Sequence, residues 1–183
     1  MTFNDQPELE GNTLRLRGLR EEDRDALFLA ASDAETWAGH PSKDRYQRAV
    51  FDPYFDMLLA AGGTLIVIDK PSGQVIGCSR YYVGPDAPDD IGIGFTFLNH
   101  RYWGGAVNLR MKQLMLDHAF AHFDRVRFHI APDNIRSQKA TAKIGAVFTS
   151  DEKLDLSGSV LPWKCYRLDR AAWQQVKADR LGL

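Results

Sequence analysis

The sequence predicts a mixed α/β domain with a largely antiparallel first half. Three observations carry this. TLIVID (64–69) and QVIGCSRYYV (74–83) flank the turn signal Lys70-Pro71-Ser72-Gly73, which makes them a hairpin. The apolar run IGIGFTFL (Ile91 to Leu98) leads through RYWGGA (Arg101 to Ala106) into a helical run from about Val107 to Phe123. RVRFHI and then a short helix from Ile135 to Ile144 repeat the strand–helix alternation, giving a βα–βα centre.

The remaining elements follow in chain order. Residues 1–10 read as a loose lead-in. NTLRLRGL alternates Leu14 and Leu16 with Arg15 and Arg17, the period of a half-buried strand. REEDRDALFLAAS crowds acids at its start, which suits a helix dipole, so these acids need no catalytic role. A second helix is expected from near Ser42 to Gly62-Gly63, with Pro53 breaking or restarting it. Trp37, Tyr54 and Trp103 either pack in the core or wall a substrate cleft. In the long helix, Arg110, Gln113 and Asp117 mark the side facing water. Asn108 and Lys112 fall within the apolar arc, a polar pair that needs partners and either braces the turn, the favoured reading, or reaches into the site. Val126, Phe128 and Ile130 alternate with Arg127 and His129 as a strand. KLDLSGSVLPWKCYRLD is a final hairpin, and Arg170 to Leu181 a terminal helix.

Bulk properties bound the function. The 183 residues suit one domain, 1–183, with no repeat or linker. A net charge of -1 leaves no electrostatic footprint for nucleic acid. No apolar run approaches a membrane span, and the acidic, polar MTFNDQPELE is no secretory signal, so a cytoplasmic protein is expected. Cys78 and Cys165 have no metal spacing and make no disulfide framework. They read as small buried thiols, and no metal is expected.

RYWGGA is where chemistry is expected. A strand ends, the chain turns on Gly104 and Gly105, and a helix begins. Backbone N–H groups at a helix start lack internal partners, and the dipole adds partial positive charge there. Such a corner suits an anion, most often phosphate. Arg101 can add a charge-assisted contact. A P-loop is excluded because Ala106-Val107 stands where Lys-Ser or Lys-Thr is needed. The G-x-G-x-x-G spacing of dinucleotide folds is also absent.

RYWGGA does fit R-x-x-G-x-A. It resembles the pyrophosphate signature Q/R-x-x-G-x-G/A of the GNAT superfamily of acyl-CoA-dependent N-acetyltransferases. The element order is similar to the GNAT fold. Asn134 and Ser137, in APDNIRSQKATAKIGAVF, match the next motif of that family. The N-x-x-S form, the ending KIGAVF and the opening LRLRGLREED resemble the branch that includes ribosomal-protein N-terminal acetyltransferases. The resemblance covers about residues 10–169. It implies a mostly antiparallel central sheet of six to seven strands flanked by helices, with two splayed central strands, here IGIGFTFL and RVRFHI.

The resemblance also implies roles. Backbone groups of Phe97 and Leu98 would pair with the pantetheine amides of acetyl-CoA. Backbone N–H groups of Arg101, Tyr102, Trp103, Gly104, Gly105 and Ala106 would wrap the pyrophosphate. Asn134 would bond the pantetheine arm or hold a water. The Ser137 hydroxyl would protonate the leaving thiolate or, as a helix N-terminal Ser, bond the backbone. The reaction would be direct attack of a neutral amine on the thioester in a ternary complex. The acceptor would be a protein or peptide N-terminal α-amine or a small-molecule amine; homodimers are admissible. In relatives with an EIGWTFL-like strand a carboxylate precedes the Ile-Gly pair. Matching that strand to GIGFTFL puts Gly92 in its place. Asp90, two residues earlier, is the first candidate base, with His129 or a water relay as alternatives. With no carboxylate at 92, a non-catalytic acyl-CoA-binding module is the rival reading.

Overall fold

The computed structural model describes residues 2–181; residue 1 and residues 182–183 of the expected 1–183 span lie outside the described residues. Its elements run β1 (Leu9–Glu10), β2 (Leu14–Gly18), α1 (Arg24–Ala31), α2 (Arg48–Ala61), β3 (Thr64–Asp69), β4 (Gln74–Tyr82), β5 (Ile91–Leu98), α3 (Val107–Phe120), β6 (Arg125–Ile130), α4 (Ile135–Lys143), β7 (Val147–Asp155), β8 (Val160–Asp169) and α5 (Arg170–Leu181). This is the predicted order with one strand added, a mixed, mostly antiparallel α/β fold. The addition corrects the expectation of a loose lead-in, because Leu9 and Glu10 pair with Leu16 and Arg15. The second helix starts later than expected. Residues 42–47 form turns, with Gln47 donating to the Asp44 carbonyl, and Pro53 sits inside α2 near its start. There its missing N–H costs one ladder bond without ending the helix. No helix among the described residues is long and apolar enough to cross a membrane.

The chain forms two compact units. One runs through Tyr81 and takes up Phe95–Leu116; the other holds Tyr82–Gly94 and the chain from Asp117. Both β5 and α3 contribute to each. In the first unit the strands follow the order β1-β2-β3-β4 and then β5 from Phe95. Leu14 and Leu16 are buried while Arg15 is exposed, as period two requires. Leu27, Trp37, Phe51, Phe55, Leu58 and Phe97 belong to one apolar cluster. The acids before α1 are structural: Asp23 accepts from Arg17 at 2.7 and 2.8 Å and from the Arg20 N–H at 2.9 Å.

In the second unit β5 is followed by β6, β8 and β7. β6 pairs antiparallel with β8 from Arg125↔Asp169 to Ile130↔Lys164. β5 and β6 pair in parallel, registering only Ile91↔Val126 and Gly92↔Arg127. Ile93 and Gly94 on β5, and Phe128 to Ile130 on β6, continue as strand past the end of that ladder. This early end is the expected splay. Asp117, expected to face water, keeps 37% side-chain exposure and also accepts from the fully buried Trp173 indole and from Lys177, both at 2.9 Å, which docks α5.

Lys112, expected to brace the turn, finds a hydrogen-bond partner on β5 instead. It is 8% exposed and donates to Thr96 Oγ1 at 3.4 Å, and Thr96 Oγ1 shares a 2.7 Å hydrogen bond with Ser79 Oγ. Burial pushes its amine down from 10.5 to about 7. Between those values the unfolded chain binds the extra proton, so stability rises with pH across that window. Below about 7 both states carry the proton and the burial penalty is complete. The variant Lys112→Met should therefore melt higher than wild type at neutral pH. It should also lose the gain in melting temperature between about pH 7 and pH 10. Thermal melts across that range check both.

Candidate active site

The corner after β5 is built by side chains that consume some backbone donors and leave others. Asn99 Oδ1 accepts from the Arg101 N–H at 3.1 Å, and Asn99 Nδ2 donates to the Ala30 carbonyl at 3.0 Å. The Tyr102 N–H donates to the Asn99 carbonyl at 2.9 Å, and the Trp103 N–H to the His100 carbonyl at 3.0 Å. Three of the six amides expected to wrap an anion are thus already engaged. The N–H groups of Gly104, Gly105 and Ala106 donate to nothing among the described residues. They lead directly into the first turn of α3, whose own leading amides lack helical partners. Gly104 has φ 74, a left-handed conformation that favours glycine. Nothing lies within 4 Å of where a side chain at Gly104 or Gly105 would begin. The open amide set is therefore narrower than expected and lies deeper toward the helix. The Arg101 side chain is exposed and makes no hydrogen bond or ion pair among the described residues.

Upstream, Phe97 and Leu98 are buried, at 6% and 5% exposure. The Leu98 carbonyl accepts from the Trp103 indole at 2.8 Å, so Trp103 ties the corner to the strand end. Phe95 has φ 51, the single positive-φ residue other than glycine among the described residues. An aromatic residue held there stores about 1–3 kcal/mol, which surrounding contacts must offset. Its carbonyl accepts from Tyr54 Oη at 3.4 Å and Cys78 Sγ at 3.7 Å, and the Arg80 guanidinium lies 5.1 Å from its ring centre. Nothing in the residue pattern GFTF announces this kink.

The other expected residues lie in the second unit. Asn134 is the N-cap of α4, and its Oδ1 accepts from the Ser137 N–H at 3.2 Å. The N-x-x-S spacing is thus the spacing of a helix cap to the third helical residue. The Ser137 hydroxyl makes no hydrogen bond among the described residues, so the backbone-bonding reading of that hydroxyl is not what the structure holds. Asp90 is 4% exposed, with Oδ1 bound by Arg125 Nε at 3.0 Å and Oδ2 by Arg127 Nε at 2.7 Å. Both carboxylate oxygens are engaged by guanidinium groups, which is the arrangement of an anchor. His129, on β6, binds Tyr82 Oη through Nδ1 at 2.7 Å and Asp86 through Nε2 at 3.1 Å. Cys165 stands within 4.8 Å of the Asp86 and His129 donor atoms. Burial and the Asp86 charge push its thiol up to about 11. Both imidazole nitrogens are engaged by Tyr82 and Asp86. Tyr82 and Asp86 were not singled out by the sequence; Asp86 sits unmarked in the polar loop GPDAPDD.

The sequence matches the acetyltransferase (GNAT) domain model over residues 13–147, most of the chain, and the protein belongs to that family. It is an acetyl-CoA-dependent N-acetyltransferase, one that moves an acyl group from acetyl-CoA to an amine. Among curated proteins no sequence relative is matched. Solved structures share the fold. A GCN5-related N-acetyltransferase from Brucella melitensis superposes with a TM-score of 0.81 at 20% identity, over 99% of this chain and 86% of that one. RimJ of Mycobacterium smegmatis, in complex with CoA-disulfide, gives 0.64 at 19%, over 91% and 90%. An aminoglycoside acetyltransferase in complex with coenzyme A and kanamycin gives 0.64 at 16%, over 89% and 98%.

Two outcomes follow from this geometry. Gly105→Glu places bulk and negative charge among the open amides without the φ strain that a change at Gly104 would add. Calorimetry should show acetyl-CoA affinity reduced at least ~100-fold, about 2.7 kcal/mol. Asp90→Asn should cost about 3 kcal/mol of stability in denaturant unfolding, near the low end for a broken buried pair because Arg125 is half-exposed. The folded fraction of that variant should keep its turnover.

Proposed function

We propose that the whole chain works as one N-acetyltransferase domain whose acceptor is an amine of low pKa, foremost the α-amine of a protein or peptide N-terminus. The observation that carries this is the absence of a carboxylate on β5: Gly92 stands at the matched position and Asp90 is held by two arginines. Neutralising a lysine of pKa about 10.4 at neutral pH costs about 4.6 kcal/mol, whereas an α-amine near 7.8 costs about 1. A site without a dedicated carboxylate base serves the second far better than the first. The resemblance of the N-x-x-S form and the opening LRLRGLREED to the ribosomal-protein N-terminal acetyltransferases supports the same acceptor class. A small-molecule amine is the second reading, supported by the fold shared with the aminoglycoside acetyltransferase.

In this proposal the amides of Gly104, Gly105 and Ala106, with the Arg101 side chain, bind the pyrophosphate of acetyl-CoA. Phe97 and Leu98 offer backbone groups to the pantetheine arm, Trp103 fixes the corner, and Asn134 holds the arm or a water. The amine attacks the thioester carbon, a C–N bond forms and the C–S bond breaks. The thiolate takes a proton from the Ser137 hydroxyl, which recovers one from the new amide nitrogen as it deprotonates. A backbone N–H near the Phe95 kink stabilises the oxyanion.

The test is thiol release from acetyl-CoA across peptides with varied N-termini, lysine peptides with blocked N-termini, and small amines. N-terminal peptides should be the best substrates by kcat/KM. Turnover confined to lysine side chains would refute the acceptor assignment. Tight acetyl-CoA binding without turnover on any amine would restore the non-catalytic reading.

A further inference from the structure

The acyl transfer reading leaves one task without a residue, removal of the proton from the incoming ammonium. The second unit contains a buried chain of groups suited to it. Tyr82, on β4, lays its ring over Gly92 and Gly94 of β5. A side chain starting at Gly92 would stand 2.8–3.0 Å from three ring atoms, and one at Gly94 would stand 3.0 Å from the ring. Residues 92 and 94 share one face of a regular strand, so the two glycines form a bare track for the ring. The phenol crosses that track to reach His129 Nδ1 on β6 at 2.7 Å. His129 Nε2 lies 3.1 Å from both oxygens of Asp86, in the loop after β4. A side chain at Gly84 would stand 2.6 Å from Asp86 Oδ1 and 2.9 Å from His129 Cε1, so that glycine also makes room.

The hydrogen bonds fix the protons in the resting state. A carboxylate can only accept, so Nε2 carries the ring proton and points it at Asp86. In the neutral imidazole Nδ1 is then the acceptor, and the Tyr82 hydroxyl donates to it. Hydroxyl, imidazole and carboxylate in line form the arrangement in which a buried acid orients a histidine and stabilises its imidazolium. The His129 side chain is fully buried, while Asp86 keeps 17% exposure, so the chain runs from a dry interior to an edge in contact with water. Cys165 on β8 stands beside His129 and Asp86 among the described residues; the β5 residues beneath the phenol, Gly92 to Gly94, carry no titratable group.

We propose that Tyr82, His129 and Asp86 replace the missing strand carboxylate as the proton acceptor of the transferase, with Tyr82 occupying the space that the carboxylate side chain would need. This rests on the acetyl-transfer reading of the preceding section. The ammonium, directly or through one water, gives a proton to the Tyr82 oxygen as that hydroxyl passes its own proton to His129 Nδ1. Tyr82 stays neutral, and His129 becomes an imidazolium paired with the Asp86 carboxylate. The amine, now neutral, attacks the thioester; its second proton leaves with the thiolate as described above, and the His129 proton returns to water past Asp86. Tyr82 is the catalytic residue, and His129 and Asp86 act through it. His129 accepts through an unprotonated Nδ1, so the pH profile of kcat/KM should change when this residue is replaced.

The experiment is the pH dependence of kcat/KM for wild type, Tyr82→Phe, His129→Gln and the double variant, with acetyl-CoA affinity and melting temperature measured alongside. Tyr82→Phe keeps the ring on the glycine track, so its fold and acetyl-CoA affinity should match wild type. Its kcat/KM at neutral pH should drop about 100-fold. His129→Gln should show a similar loss and a flattened acid limb. The double variant should lose no more than either single one, as expected for residues that act as a unit. A wild-type rate in Tyr82→Phe, an acid limb that survives in His129→Gln, or two losses that multiply would overturn the proposal. A wild-type enzyme that binds acetyl-CoA yet acetylates no amine would remove the acetyl-transfer reading and this proposal together, and that result is seen before any substitution is made.

Discussion

The backbone of β5 is the constraint on which the other features depend. Within eight residues it pairs in parallel with β6 at Ile91 and Gly92 only, gives up side chains at Gly92 and Gly94, and then turns Phe95 to φ 51. Each departure has a local cause. The glycines clear the face over which the Tyr82 ring lies, at a separation no β-carbon would tolerate at Gly92 and a tight one at Gly94. The left-handed Phe95 is held through its carbonyl by a tyrosine and a thiol, and both of those groups are protonated. Burial pushes Cys78 up to about 12 and Tyr54 above its usual range, so each stays a hydrogen-bond donor at any ordinary pH. A strand with ordinary side chains and ordinary dihedrals would pair along its whole length and present neither feature.

A similar economy governs the corner that follows. A strand-to-helix turn has more amide donors than it can satisfy internally, and what distinguishes a binding corner is which donors it leaves open. Here the Asn99 side chain and two tight turns take the first three. That leaves the two glycines and Ala106 aligned with the start of α3, where the helix dipole is strongest. Lys112, further along the same helix, is buried, and burial disfavours its charged form. It holds Thr96 in place. Fixed backbone dipoles and the exposed Arg101 side chain give the corner positive character, and the buried lysine acts as a hydrogen-bond donor to β5.

Much of this was legible from residue order alone, because local periodicity and turn chemistry agree along the chain. All seven expected strands and five expected helices formed. The strand the sequence did not reveal, β1, is two residues long, too short for any period to register. The start of α2 was misplaced because residues 42–47 are polar enough for either a turn or a first helical turn. The glycine corner and the Asn134 cap were readable since their chemistry is contiguous in sequence. The Tyr82–His129–Asp86 chain was not, because its members are up to 47 residues apart and meet only through strand pairing. The repeated Ile-Gly of β5 was visible as an oddity. Its meaning, room for a ring arriving from the neighbouring strand, required the fold. Asp90 was attractive for its position alone, and its two arginine partners lie 35 and 37 residues away.

The two proposals constrain each other energetically. A carboxylate placed directly against an ammonium would stabilise the charged form of the amine before it removed a proton, because an opposite charge nearby favours ionisation. A neutral phenol backed by imidazole exerts no such pull. It suits an acceptor already close to neutral at working pH, for which about 1 kcal/mol must be supplied, and it is poorly suited to a lysine needing several times that. The choice of Gly92 and the choice of acceptor are then one choice. A chain that gives its central strand over to an aromatic ring forgoes the strong charge that lysine deprotonation would call for, and it gains a dry, oriented route by which a weaker demand can be met.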